Sequence, residues 1–126
     1  MIISINEALD IPIYLQIYNQ IVQGISDGIL KPGESLPSVR GLADEIGINA
    51  MTVNKAYQQL KLGGYIVTSR RSGAKVAECF GQEAHFSEET KQQLKQIVSE
   101  AKLKGITDEE FCQVIKELYG SKKIGG

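Results

Sequence analysis

The chain has 126 residues, 42% of them hydrophobic and 23% charged, with a formal net charge of -1. That is enough for one ordinary domain plus a small appendage, and the composition is globular rather than disordered or membrane-embedded. No apolar run approaches the ~20 residues of a membrane helix, MIISINEALD lacks a basic leader region, and Cys79 and Cys112 suit a reducing compartment, so the expected location is the cytoplasm with no membrane partner.

The small net charge hides an asymmetry: residues 1–35 carry -3, residues 36–76 carry +4 and residues 77–126 carry -2. A basic middle third suggests an anionic partner, although chance clustering of solvated charges gives the same count.

Asp10 and Pro12 open a first helix, with Pro12 near the first turn. Tyr14, Ile17, Tyr18, Ile21 and Ile25 form its apolar stripe, and Gly28 ends it. Lys31 to Ser38, KPGESLPS, is dense in turn formers. Ser38 is a suitable N-cap for a second helix from Val39 to Ile46, with Leu42, Ala43 and Ile46 inward and Gly47 as its break. Asn49 caps a third helix from Ala50 to about Leu62. Its back is Val53, Ala56, Tyr57 and Leu60, at i, i+3, i+4 and i+7. Its front is Thr52, Asn54, Lys55, Gln58 and Lys61, rich in hydrogen-bonding groups and free of acids. Gly63 and Gly64 terminate it.

Tyr65 to Thr68 is β-branched and aromatic and reads as a strand. Arg70 to Gly73 turn, and Ala74 to Ala77 return as its partner, giving a hairpin with a basic tip. A linker from Glu78 to Phe86 leads to a fourth helix capped by Ser87, with Leu94, Ile97, Val98 and Ala101 as its stripe and Gly105 as its stop. Thr107 and Glu110 have capping-box spacing, with Ile106 and Phe111 at the staple positions. The fifth helix carries the stripe Phe111, Val114, Ile115, Leu118 and Tyr119. The tail Ser121 to Gly126 is expected to fray.

A short helix, a glycine-centred turn, a second helix and a β-hairpin make a winged helix-turn-helix. The expected fold class is mainly α with a small β-wing, divided into a winged domain (1–77) and a linker with a C-terminal helical hairpin (78–126). A recognition helix enters the major groove by its N-terminal half. Asn54 can pair with adenine, Thr52 can bond a base or touch a thymine methyl, and Met51 and Ala50 can meet such a methyl. Lys55 and Arg40 suit phosphate or guanine, while Arg70, Arg71 and Lys75 suit phosphates or a narrow minor groove. The competing reading is a solvated helix face on a winged module that docks a protein. Tyr14, Tyr18 and Tyr57 are expected to fill the core rather than stack on bases.

Catalysis is not expected, because the lone His85 has no nucleophile at a recognisable spacing. Glu88, Glu89, Asp108 and Glu109 sit at helix starts, where they complement the dipole. Cys79, Glu83 and His85 match no established metal spacing, and no cofactor is expected.

The stretch LPSVRGLADEIGINAMTVNKAYQQLKLGGYI resembles the DNA-binding signature of the GntR family of bacterial transcription regulators. Leu36, Pro37, Ser38, Arg40, Leu42, Ala43, Gly47, Thr52, Val53, Ala56, Leu60, Gly64 and Ile66 fit its pattern, and the likeness spans about residues 7–77. Residues 77–126 follow the wing, and this architecture resembles the YtrA subfamily of that family. The resemblance implies a sequence-specific, dimeric repressor of a transporter-type operon, with its own operon as a second candidate target. It implies a palindromic operator and DNA contacts that include Ser38, Arg40, Asn49, Thr52 and wing Gly73. It also implies dimerisation through the C-terminal stripes, whose periodicity alone leaves packing on the winged domain equally open. Many family members carry Arg where Ala50 and Asn54 stand, so the operator cannot be copied from a relative. The large ligand domain of other members is not expected in the residues after the wing, and an unknown small-molecule effector would then bind elsewhere, such as a dimer interface.

Overall fold

The computed structural model describes residues 2–81 and 84–120. It contains α1 (Ile13–Ser26), α2 (Val39–Ile46), α3 (Ala50–Leu62), β1 (Ile66–Ser69), β2 (Gly73–Val76), α4 (Glu88–Leu103) and α5 (Asp108–Gly120). The expected tail Ser121 to Gly126 lies outside the described residues. The chain divides into two compact units, Met1–Gln82 and Glu83–Gly126.

In the first unit α3 packs against α1, α2 and β1. Ile17 and Ile21 of α1, Leu42 of α2, Val53 and Leu60 of α3, Ile66 of β1 and Val76 of β2 are fully enclosed. Removing these aliphatic side chains from water is the main stabilising term, about 1.5–3 kcal/mol for each. Ala43 and Ala56 are buried where helices meet. Gly47 closes α2 with φ 69°, a left-handed conformation that a side chain would strain, and its N–H caps the Ala43 carbonyl.

Helices α2 and α3 occupy the expected bounds because their caps are local. Two other elements differ from the sequence reading. Helix α1 begins at Ile13, with Pro12 as an N-cap that contributes no side-chain hydrogen bond, so Asp10 lies outside the helix. The hairpin pairs Ile66 with Val76 and Ser69 with Gly73, one residue nearer the tip on both strands than expected. The Ser72 N–H donates to Ser69 Oγ at 2.9 Å, which confines the loop to Arg70–Ser72 and draws Gly73 into the ladder.

Two further features carry little periodic signal. The chain at 33–36 runs beside β2: Gly33 N donates to Val76 O (2.9 Å), Val76 N to Glu34 O (2.8 Å) and Leu36 N to Ala74 O (2.8 Å). Part of the turn-rich KPGESLPS run therefore acts as a third edge to the hairpin. The N-terminal segment is held to α1 by side-chain amides. Gln16, 5% exposed, accepts from Asn6 N and donates to the Asn6 and Ile11 carbonyls, and Gln20 brackets Ser4 in the same manner.

In the second unit Ser87 Oγ accepts from Thr90 N at 3.1 Å, starting α4. The capping box forms as spaced, with Thr107 N donating to Glu110 Oε1 (2.9 Å) and Glu110 N to Thr107 Oγ1 (3.1 Å). Ala101 is the one buried residue of this unit among those described. Leu94 and Phe111 are half-buried, while Ile97, Val98, Val114, Ile115, Leu118 and Tyr119 remain exposed. An apolar cleft of ≈ 430 Å³ runs between α4 and α5, lined among others by Leu94, Ile97, Val114 and Ile115.

Candidate nucleic-acid interface

Both helices of the helix-turn-helix start on neutral caps. Ser38 Oγ accepts from Gly41 N at 2.9 Å, and Asn49 Oδ1 accepts from Met51 N at 2.7 Å. The hydroxyl and amide N–H groups of these caps are still donors, so each side chain can end its helix and reach an anion. Neither α2 nor α3 has an acid in its first turn. No first-turn carboxylate therefore offsets the partial positive charge of either N-terminus.

The two faces of α3 separate as their spacing predicts. Val53, Ala56, Tyr57 and Leu60 are buried, whereas Met51 (80% exposed), Asn54, Lys55 and Gln58 stand outward. Thr52 is half-buried at the edge of that outward face. Tyr57 does more than fill space: its hydroxyl donates to the Pro37 carbonyl at 2.8 Å, tying α3 to the turn before α2. Burial, and secondarily the Glu45 carboxylate, pushes this hydroxyl up to about 12. Tyr18 meets Tyr65 edge-on, with centroids 6.2 Å apart, and burial followed by the neighbouring Tyr65 raises its pKa.

Arg40 is exposed on α2, and Arg70 and Arg71 are exposed at the tip of the wing. Lys75 is half-buried on β2, opposite Val67 and on the face away from buried Ala74 and Val76. Gly73, φ 71°, has open space where a Cβ would stand. One core fixes all of these elements, since α3, β1 and β2 contribute to the same hydrophobic cluster. Lys55, exposed as expected, makes one contact that the sequence reading did not foresee: its ammonium lies 4.2 Å from the ring centroid of Tyr14 on α1. No spacing rule links positions so far apart in the chain.

The family described as bacterial regulatory proteins, gntR family, matches residues 13–76, the span from α1 through β2. The chain belongs to the GntR family. This GntR chain is 38% identical over 125 residues to the HTH-type transcriptional repressor YtrA of Bacillus subtilis (strain 168), covering 98% of this chain and 96% of that protein. Among solved structures it is similar to a transcriptional antiterminator from Listeria monocytogenes EGD-e, with TM-score 0.81, 30% identity, and 100% and 98% of the two chains covered. It is also similar to YtrA from Sulfolobus acidocaldarius, a GntR-family transcription factor, with TM-score 0.63, 40% identity, and 80% and 97% covered. The N-terminal domain of AraR, solved in complex with a mutant of its operator ORR3, shares the winged fold at TM-score 0.51 and 27% identity, over 56% of this chain and 100% of that one. This GntR chain is a DNA-binding transcription regulator, not an enzyme. No helix among the described residues is long and apolar enough to cross a membrane.

Proposed function

We propose that this GntR regulator is a cytoplasmic, dimeric repressor that reads a palindromic operator through α3. The observation that carries the reading is the start of α3, where a neutral cap and an acid-free first turn lie beside exposed Met51 and Asn54. Thr52 and Asn54 address base edges, and Met51 a thymine methyl. Ser38, Arg40, Asn49 and Lys55 address phosphates, and Arg70, Arg71, Gly73 and Lys75 carry the wing contact. The stripes Leu94, Ile97, Val98, Ala101 and Phe111, Val114, Ile115, Leu118, Tyr119 pair two subunits. The repressor assignment follows the likeness to the repressor YtrA, and a transporter-type target is what the resemblance to the YtrA subfamily implies. Two copies would set their recognition helices about one helical turn of DNA apart.

Fluorescence anisotropy tests this with a duplex from upstream of the protein's own coding sequence and a scrambled duplex, at two salt concentrations. Binding that prefers the upstream duplex and weakens steeply with salt is expected. In that assay Asn54→Ala relaxes discrimination by about 1–3 kcal/mol at one base position. Equal loss on every sequence would remove Asn54 from readout. Salt-insensitive or absent binding to both duplexes would favour a protein-docking role for the wing and α3.

A further inference from the structure

We infer that Tyr14 of α1 is a positioning residue for DNA binding, holding the ammonium of Lys55 at a fixed place on the flank of α3. The inference rests on the reading of α3 as the recognition helix and deepens it. Lys55 is exposed and follows Met51 by one helical turn, so its Cα lies on the outward face. Its Nζ nevertheless lies 4.2 Å from the centroid of the Tyr14 ring, inside cation–π range. Tyr14 is half-buried and packed against the core cluster, so one side of the ring is anchored while another meets the lysine. Among the described residues, no carboxylate forms a salt bridge with Lys55.

An unrestrained lysine is a flexible point charge that must be ordered when it meets a phosphate. The ring supplies that order in advance. Cation–π contact uses the electrostatic attraction of the ring face and leaves ammonium N–H donors able to reach a phosphate oxygen. A lysine held toward α1 also lies off the base-reading set, which separates its task from that of Asn54. Lys55 thereby acts on the DNA backbone regardless of sequence, and Tyr14 acts through Lys55.

The test uses the full chain and a labelled random-sequence duplex titrated between about 50 and about 200 mM salt. Lys55→Met is expected to lower the salt slope by about one unit. Tyr14→Leu is expected to weaken binding about two- to fivefold, and Tyr14→Phe, which retains a ring face, to bind as wild type. The deciding readout is the double variant: in a Lys55→Met background Tyr14→Leu should produce no further loss. Thermal unfolding of every variant reports its folding separately. An equal additional loss in that background would overturn the inference, because Tyr14 would then act through the fold. Wild-type affinity and salt slope in Lys55→Met would also overturn it, while wild-type binding itself would keep the reading of α3 intact. If the wild-type chain bound neither this duplex nor the upstream duplex, that reading would fail, and the inference with it.

Discussion

The helix starts of the two units are built in opposite ways. Helices α2 and α3 begin on Ser38 and Asn49 with no carboxylate in the first turn. Helix α4 begins with Glu88 and Glu89, and α5 with Asp108, Glu109 and Glu110. A carboxylate at that place satisfies the positive end of the dipole internally; its absence leaves the field for an external anion. The burial contrast runs the other way. The first unit encloses its own aliphatic core, whereas α4 and α5 bury Ala101 and leave Ile97 and Val114 about half exposed, at 53% and 52%. One unit closes an aliphatic core and leaves the starts of α2 and α3 without carboxylates. The other supplies carboxylates at both of its helix starts and buries little of its apolar stripes.

The packing half of this contrast admits the largest perturbation. Val114→Glu puts a charge on the apolar face of α5. If two copies pair there, an unpaired buried carboxylate costs several kcal/mol. Sedimentation should then show a monomer with unchanged helix content, and affinity for a two-half-site duplex should fall about a hundredfold or more. A dimer of unaltered stability would locate the pairing surface elsewhere.

Met51→Glu gives α3 the kind of start that α4 and α5 have. Duplex affinity should drop about tenfold or more for operator and scrambled sequences alike, through repulsion from phosphate. Thermal stability should hold or rise slightly, since the new charge favours the dipole by about 0.3–1 kcal/mol. Unchanged anisotropy titrations would show that DNA does not approach this end of the helix.

Tyr57→Phe removes the hydrogen bond to the Pro37 carbonyl and should cost about 1 kcal/mol in urea unfolding at neutral pH. The pH dependence has a definite sign. The folded pKa of Tyr57, about 12, lies above its ordinary 10.0, so the neutral hydroxyl is favoured in the folded state. Its contribution is complete below pH 10 and is lost as pH rises toward about 12. Wild type should lose stability across that window more steeply than the phenylalanine variant, and parallel curves would exclude Tyr57 as the source. The smallest effect is expected for Glu88→Gln with Glu89→Gln. It should cost a few tenths of a kcal/mol of α4 stability and leave duplex titrations unaltered.

Legibility followed the range of the interaction. Helices α2 and α3 were readable to the residue because Ser38 and Asn49 cap within a few positions of themselves. The capping box at Thr107 and Glu110 was readable for the same reason. The wing was displaced by one residue, since the Ser69–Ser72 bond that closes its loop is not encoded in β propensity. Of the expected DNA-facing residues, Met51 and Asn54 are exposed on the face that helix periodicity gives, Arg40, Arg70 and Arg71 are exposed, and Thr52 and Lys75 are half-buried. The third edge at 33–36 could not be read, because turn-forming residues found their partners on β2 through backbone atoms alone.

The sequence by itself determined the order of the elements, the N-caps of α2, α3 and α4, the capping box of α5, the buried back of α3 and the family, because helix periodicity, capping and motif spacing are local or linear properties. Only the tertiary structure decided that Gln16 and Gln20 fasten the N-terminal segment to α1, that Tyr57 ties α3 to Pro37, and that Lys55 rests on Tyr14. Each of these is a polar contact between positions distant in the chain. Whether a side chain's hydrogen-bonding or charged end meets such a partner depends on how the helices cross, which no local pattern specifies.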